Sequence, residues 1–148
     1  MADVQGTYRD RMRAAIAGMQ ANMKGAVIES RIAEAAINFG LPVAQGSESD
    51  KGGKLPASTA VTLGVAMHDR SVNGTNLNGY ADGETMRVML KGDIWVVASV
   101  AVAPGDPVYV VPTTGAWAKT NASSAILLPN ARWASTAGIG ELAILELR

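Results

Sequence analysis

His68 is the only histidine in the chain, and it stands in the run Met67-His68-Asp69-Arg70. An imidazole beside a carboxylate is the pairing that general-base catalysis uses. A base needs something to activate, and no G-x-S-x-G nucleophile elbow occurs anywhere in the 148 residues. If the strand reading continues through this run, His68 and Asp69 also point to opposite faces. His68 is therefore read as a polar strand terminus, and no catalytic residue is assigned.

Metal chemistry has little to work with. There is no cysteine, so thiolate sites and disulfides are excluded, and zinc would have to lean on carboxylates. Asn73, Asn76, Asn78, Asp82 and Glu84 have the composition of a calcium loop but not the D-x-[DN]-x-[DN]-G order. Asparagine and glycine serve turns with positive φ, the commoner reason for such a stretch. Lys51-Gly52-Gly53-Lys54 lacks the spacing of a phosphate loop. Gly138-Ile139-Gly140 lacks a third glycine and precedes a strand, not the helix a dinucleotide fingerprint needs. No metal and no cofactor is expected.

The elements that would position these residues are short strands. Segments 27–31, 36–43, 60–67, 107–111, 116–119, 132–135 and 141–147 are apolar or β-branched and bounded by Gly, Pro and Asn. Segments 85–90 and 94–102 read as a hairpin across Lys91-Gly92-Asp93. Segments 45–57 and 73–83 read as loops. Strands at this spacing predict a mainly β fold, a small barrel or sandwich, over residues 27–148.

Residues 1–26 differ in character and form an N-terminal arm. Tyr8, Met12, Ala15, Ile16, Met19 and Met23 recur at three- or four-residue steps, which predicts a short helical stripe. Thr7 and Asp10 have capping-box spacing, with Asp in place of Glu or Gln. Gly6, Gly18 and Gly25 weaken such a helix. An isolated stripe of this length does not hold itself folded in water. It must dock, either on its own domain or on a neighbouring subunit. Tyr8, Met12, Ile16, Met19 and Met23 are the candidate interface residues. Arg9, Arg11 and Arg13 make a small basic patch, diluted by Asp3 and Asp10, which suits an acidic protein surface better than a nucleic acid.

Composition narrows the classes further. Thirteen basic residues balance thirteen acidic ones, which argues against the basic excess of a nucleic-acid binder. Charged residues are 18%, below the roughly 25% of soluble domains. A surface facing partners explains this, and so does one rich in Ser, Thr, Asn and Gly. No apolar run is long enough to span a membrane, and the charges of residues 3–13 interrupt any secretory leader. Trp95, Trp117 and Trp133 lie in or beside strands, where they serve core packing or anchor an interface.

Gly18-Met19-Gln20-Ala21-Asn22, Ser30-Arg31, Glu34 and Phe39-Gly40-Leu41-Pro42-Val43 resemble the opening of tailed-bacteriophage capsid cement (decoration) proteins. Residues 100–110 resemble their central hairpin, and Leu128-Pro129-Asn130-Ala131-Arg132-Trp133 and Gly140-Glu141-Leu142-Ala143-Ile144-Leu145 their ending. The resemblance implies a barrel-like β body with an N-terminal arm. It implies a protein made in the host cytoplasm that binds the exterior of a shell built by a separate major capsid protein. The expected partners are that protein and further copies of this chain, a trimer before a dimer, with no nucleic acid, no membrane and no catalysis. The alternatives are another virion β-domain, from tail or baseplate, or a ligand-binding β-sandwich.

Overall fold

The computed structural model describes residues 15–58, 60–71 and 76–148. Eleven strands follow one another: β1 (Val27–Ala33), β2 (Ile37–Asn38), β3 (Pro42–Gln45), β4 (Gly52–Lys54), β5 (Thr62–Ala66), β6 (Gly79–Tyr80), β7 (Thr85–Val97), β8 (Pro107–Val110), β9 (Trp117–Ala118), β10 (Ile126–Trp133) and β11 (Leu142–Leu147). Nine of them form one sheet in the order β1-β4-β3-β5-β7-β11-β10-β8-β9, and β2 pairs with β6. Because β1 also pairs with β7, the strands β1, β4, β3, β5 and β7 close into a small barrel. Of the two expected architectures the barrel is the one formed.

β7 is the spine. Its first half, through Lys91, pairs with β1 and β5, and its second half, from Gly92, pairs with β11. Beyond its end, a bridge from Ala98 to Trp117 brings β9 back, so the second half of the sheet also curls on itself. Each half wraps a core. Met86 and Val88 point into the first, with Ala33, Ile37, Val43, Ala66 and Tyr80. Ile94 and Val96 point into the second, with Met89, Val108, Trp117, Trp133 and Leu145. Trp95 and Val97 alternate to the outside of that second core.

The expected hairpin at Lys91-Gly92-Asp93 is corrected: these residues lie within a single continuous strand. Gly92 has φ +129°, and the register of β1 against β7 slips beside it, between Val27 and Ile28. The register skips Leu90, so the glycine sits beside a bulge inside a continuous strand, not in a reversal. The loop expected at 45–57 contains β4, whose Gly52 and Gly53 are buried. A Cβ on Gly53 would collide with the Met86 methyl and the Val43 side chain. These glycines allow close packing, which resembles a turn signal in sequence. β10 begins six residues before the expected strand, at Ile126. Its pairing with β8 breaks between Leu127 and Arg132, and Pro129 sits in that gap, where its missing N–H costs no ladder bond.

The helical expectation fails over the described part of the stripe. Residues 15–24 contain no helix. Gly18 adopts φ +85°, and its N–H donates to the Trp95 carbonyl at 2.7 Å. Its carbonyl accepts from the His68 N–H at 2.8 Å. Both groups are taken by the body, so neither is free to extend an i to i+4 ladder. Thr7, Asp10, the Arg9-Arg11-Arg13 patch, Tyr8, Met12 and Asn73 lie outside the described residues.

Candidate functional site

The residues with chemical potential are spent on structure. The Asp69 carboxylate accepts from the Ser71 N–H at 2.8 Å and the Ser71 hydroxyl at 2.7 Å, and those bonds hold its pKa below the ordinary range. The His68 ring stands edge-on to Phe39, with centroids 4.7 Å apart. Phe39 in turn meets Tyr80 edge-on, and the Tyr80 hydroxyl donates to the Met67 carbonyl at 2.6 Å. His68 thus sits in an aromatic stack at the end of β5. Among the described residues no three of His, Asp and Glu converge as metal ligands. No helix among them is long and apolar enough to cross a membrane.

The leading segment carries three of the eleven exposed large apolar side chains among the described residues. Its backbone is fixed along the second half of β7: the Trp95 N–H donates to the Met19 carbonyl at 2.9 Å, and the Ala21 N–H to the Asp93 carbonyl at 2.9 Å. The Asn22 amide donates to the Asp93 carboxylate. Lys24 Nζ lies 3.2 Å from that carboxylate and 3.6 Å from Glu146. Burial pushes the Glu146 carboxyl up, but the hydrogen bond and charge of Arg132, with Lys24 and Arg148, outweigh it and hold the group below its ordinary range. Residues 18–24 therefore form a pinned strap.

Ile16, just before the strap, and Met19 and Met23 within it face solvent, while Asn22 and Lys24 turn in to Asp93. Met23 is 99% exposed, and Ile16 and Met19 are each more than a third exposed. Folding this segment onto β7 brings Ile16, Met19 and Met23 to the surface without burying them. The other two candidate residues, Tyr8 and Met12, precede the described region.

Beside the strap runs an apolar groove of about 700 Å³, walled by Ala15, Ile16 and Ala17 on one side and by Trp95, Val97 and Leu142 on the other. It adjoins a second hollow of about 360 Å³ at Ala17, Val97 and Gly140, where Ile139 is 77% exposed. Single exposed apolar residues are ordinary, but a contiguous set around a groove marks a contact surface. Trp117 and Trp133 are fully packed, each donating its indole N–H to a carbonyl, so they belong to the core. Trp95 alone among the tryptophans lines the surface groove. The groove residues Val97, Ile139 and Leu142 were not among the sequence candidates. The signal for Val97 was available in the alternation Ile94-Trp95-Val96-Val97, which puts two apolar side chains on each face of one strand.

Comparison with known proteins gives three results. Residues 4–148 match the family model of the phage structural cement protein (E217 gp24/Pam3 gp6). The fold is similar to that of a chain in the solved capsid of Myoviridae Phage XM1, with a TM-score of 0.79 at 13% identity over 99% of this chain and 97% of that one. It is more distantly similar to the head fiber gp8.5 N base of bacteriophage phi29, with a TM-score of 0.48 at 13% identity over 84% of this chain and 95% of that one. None of the curated proteins matches the chain.

Proposed function

The chain belongs to the phage structural cement protein family, and on that premise we propose that it fastens the exterior of a phage head by bridging neighbouring major capsid protein subunits. Membership makes it a structural component of the virion capsid. In the proposed division of labour, residues 27–148 are the docking body and residues 1–26 the arm, with Tyr8, Met12, Ile16, Met19 and Met23 as its contact residues. The protein works as a homo-oligomer, a trimer before a dimer, and carries out no catalysis.

One observation carries this reading: Ile16, Met19 and Met23 are held outward by a segment whose backbone is hydrogen-bonded to β7. Holding apolar side chains in water on a fixed backbone stabilises nothing in the isolated fold. It prepares a surface for a partner. Linking arm and body makes the second contact effectively intramolecular, so modest contacts repeated over a shell add to strong binding.

The test is decoration. Undecorated shells are mixed with the full chain or with a chain lacking residues 1–14, and occupancy is read by electron microscopy. The full chain decorates, and the truncated chain loses at least tenfold in affinity while keeping its β circular-dichroism spectrum. Binding of the full chain to purified tails in place of shells assigns it to another virion part and ends the reading.

A further inference from the structure

Among the described residues nothing fills the groove between residues 15–17 and the outer face of β7 and β11, and the chain itself supplies a fitting occupant. The described residues begin at Ala15, which is buried in the groove wall. Fourteen residues precede it. Fully extended they reach about 46 Å, against a radius of gyration of about 15 Å for a body this size. They can therefore cross to another molecule.

Their pattern suits an extended strand. Arg9, Arg11 and Arg13 alternate with Tyr8, Asp10, Met12 and Ala14. In a strand the three arginines share one face, and Tyr8, Met12 and Ala14 share the other. The apolar face matches the groove floor of Trp95, Val97 and Leu142. Asp10, the one charge on that face, has the hydroxyls of Ser135 and Thr136 to meet. The exposed carboxylate of Glu141 stands on the rim, complementary to the arginines.

Sequence also argues against the same molecule filling its own groove. Residues 15–17 already form one wall, so the preceding residues would have to reverse at once to lie beside them. No Gly, Pro, Asn, Asp or Ser occurs between Met12 and Ala17 to make that turn. We infer that residues 8–14 of a second copy of this chain lie as an extended strand in the groove, so that neighbouring copies are tied by their leading segments. The inference rests on the reading that the arm crosses between subunits, and it names both its landing place and its partner.

The absence of native cysteine makes the test direct. Tyr8→Cys, Met12→Cys and Ala14→Cys are each mixed with Val97→Cys or Leu142→Cys, oxidised in concentrated solution and on shells, and run without reductant. Single variants alone are the controls. The expected result is a covalent heterodimer from at least one mixture, because a disulfide needs Cβ atoms about 4 Å apart. Val97 is a surface residue, so its substitution leaves the fold intact. The Tyr8→Cys/Val97→Cys double variant is run beside the mixtures: an internal link there at monomer size, with no link between chains in any mixture, overturns the inference, as does the absence of any link in both settings. The chain lacking residues 1–14 separates the two failures. If it has lost decoration, the arm reading stands and only the groove assignment falls; if it decorates fully, both fall.

Discussion

Glu34 lies just beyond β1, and its carboxylate organises the loop leading into β4. It accepts from the Glu48 N–H at 2.9 Å and the Ser47 N–H at 2.8 Å, and these bonds hold its pKa below the ordinary value. Gly46 and Gly52 lack side chains where any Cβ would strike that carboxylate. A lowered native pKa means the contact is fully stabilising above the ordinary value of 4.5 and is lost as pH falls through the native value. Titrating the Ser47 and Glu48 amide resonances should therefore give a shared midpoint below the ordinary value of 4.5, absent in Glu34→Gln. A midpoint above that value contradicts the assignment. Trp117 makes a second test at this scale. Its indole N–H donates to the Gly40 carbonyl at 2.7 Å, joining the second core to the chain between β2 and β3. Trp117→Phe leaves that buried carbonyl unpaired and should destabilise the fold by about 1–3 kcal/mol in urea denaturation. A loss below measurement error would show that the bond ties nothing. Little of this was legible beforehand. Sequence spacing places Glu34 nowhere near Ser47, and nothing local distinguishes the tryptophans that fill cores from the one that lines a surface.

At the scale of elements, β7 decides the architecture. Thirteen residues in one strand serve two cores because Gly92, at φ +129°, lets the strand bend where its partners change from β1 and β5 to β11. A Cβ there would also lie 3.1 Å from Met89 Sδ and 3.2 Å from the Ala26 methyl. Gly92→Ala should thus cost about 1–3 kcal/mol, the range for a residue forced into a disfavoured backbone conformation, read as a shift in denaturation midpoint with unchanged slope. An unshifted midpoint would mean the bend is not set by this residue. Strand positions with alternating apolar residues, such as β8 and β11, were legible because each buries one face. The failures share a cause. Gly92, Gly52 and Gly53 are turn formers in isolation, and only the approach of another strand shows that they sit inside pairing, while Pro129 falls in a gap between two paired stretches of one strand. Over its described part, from Ala15, the helical stripe failed for the opposite reason. Its three- and four-residue spacing was real, but Gly18 gives its backbone groups to Trp95 and His68, and tertiary bonding overrode the local pattern.

For the whole molecule, the question is where the body ends and the arm begins. The change in composition near residue 26 was legible, and so was the likeness of the ordered segments to a capsid protein. What sequence alone did not reveal is that the strap formed by residues 18–24 pairs with β7 and satisfies part of the buried Asp93 carboxylate. Two truncations should therefore behave differently. Removing residues 1–14 leaves every described contact in place, so the urea midpoint should stay within error of the full chain. Removing residues 1–24 strips three backbone hydrogen bonds from β7, at about 1 kcal/mol each, and deprives Asp93 of Asn22 and Lys24. Leaving one member of a buried charge pair without its partners is costly in itself, so the loss should exceed about 3 kcal/mol. Decoration assays on the shorter truncation then report on residues 1–14 alone, whereas those on the longer one mix a lost contact with a weakened body. Equal stability of the two truncated chains would show that the strap is a passive passenger on β7, and the outward presentation of Ile16, Met19 and Met23 would lose its structural basis.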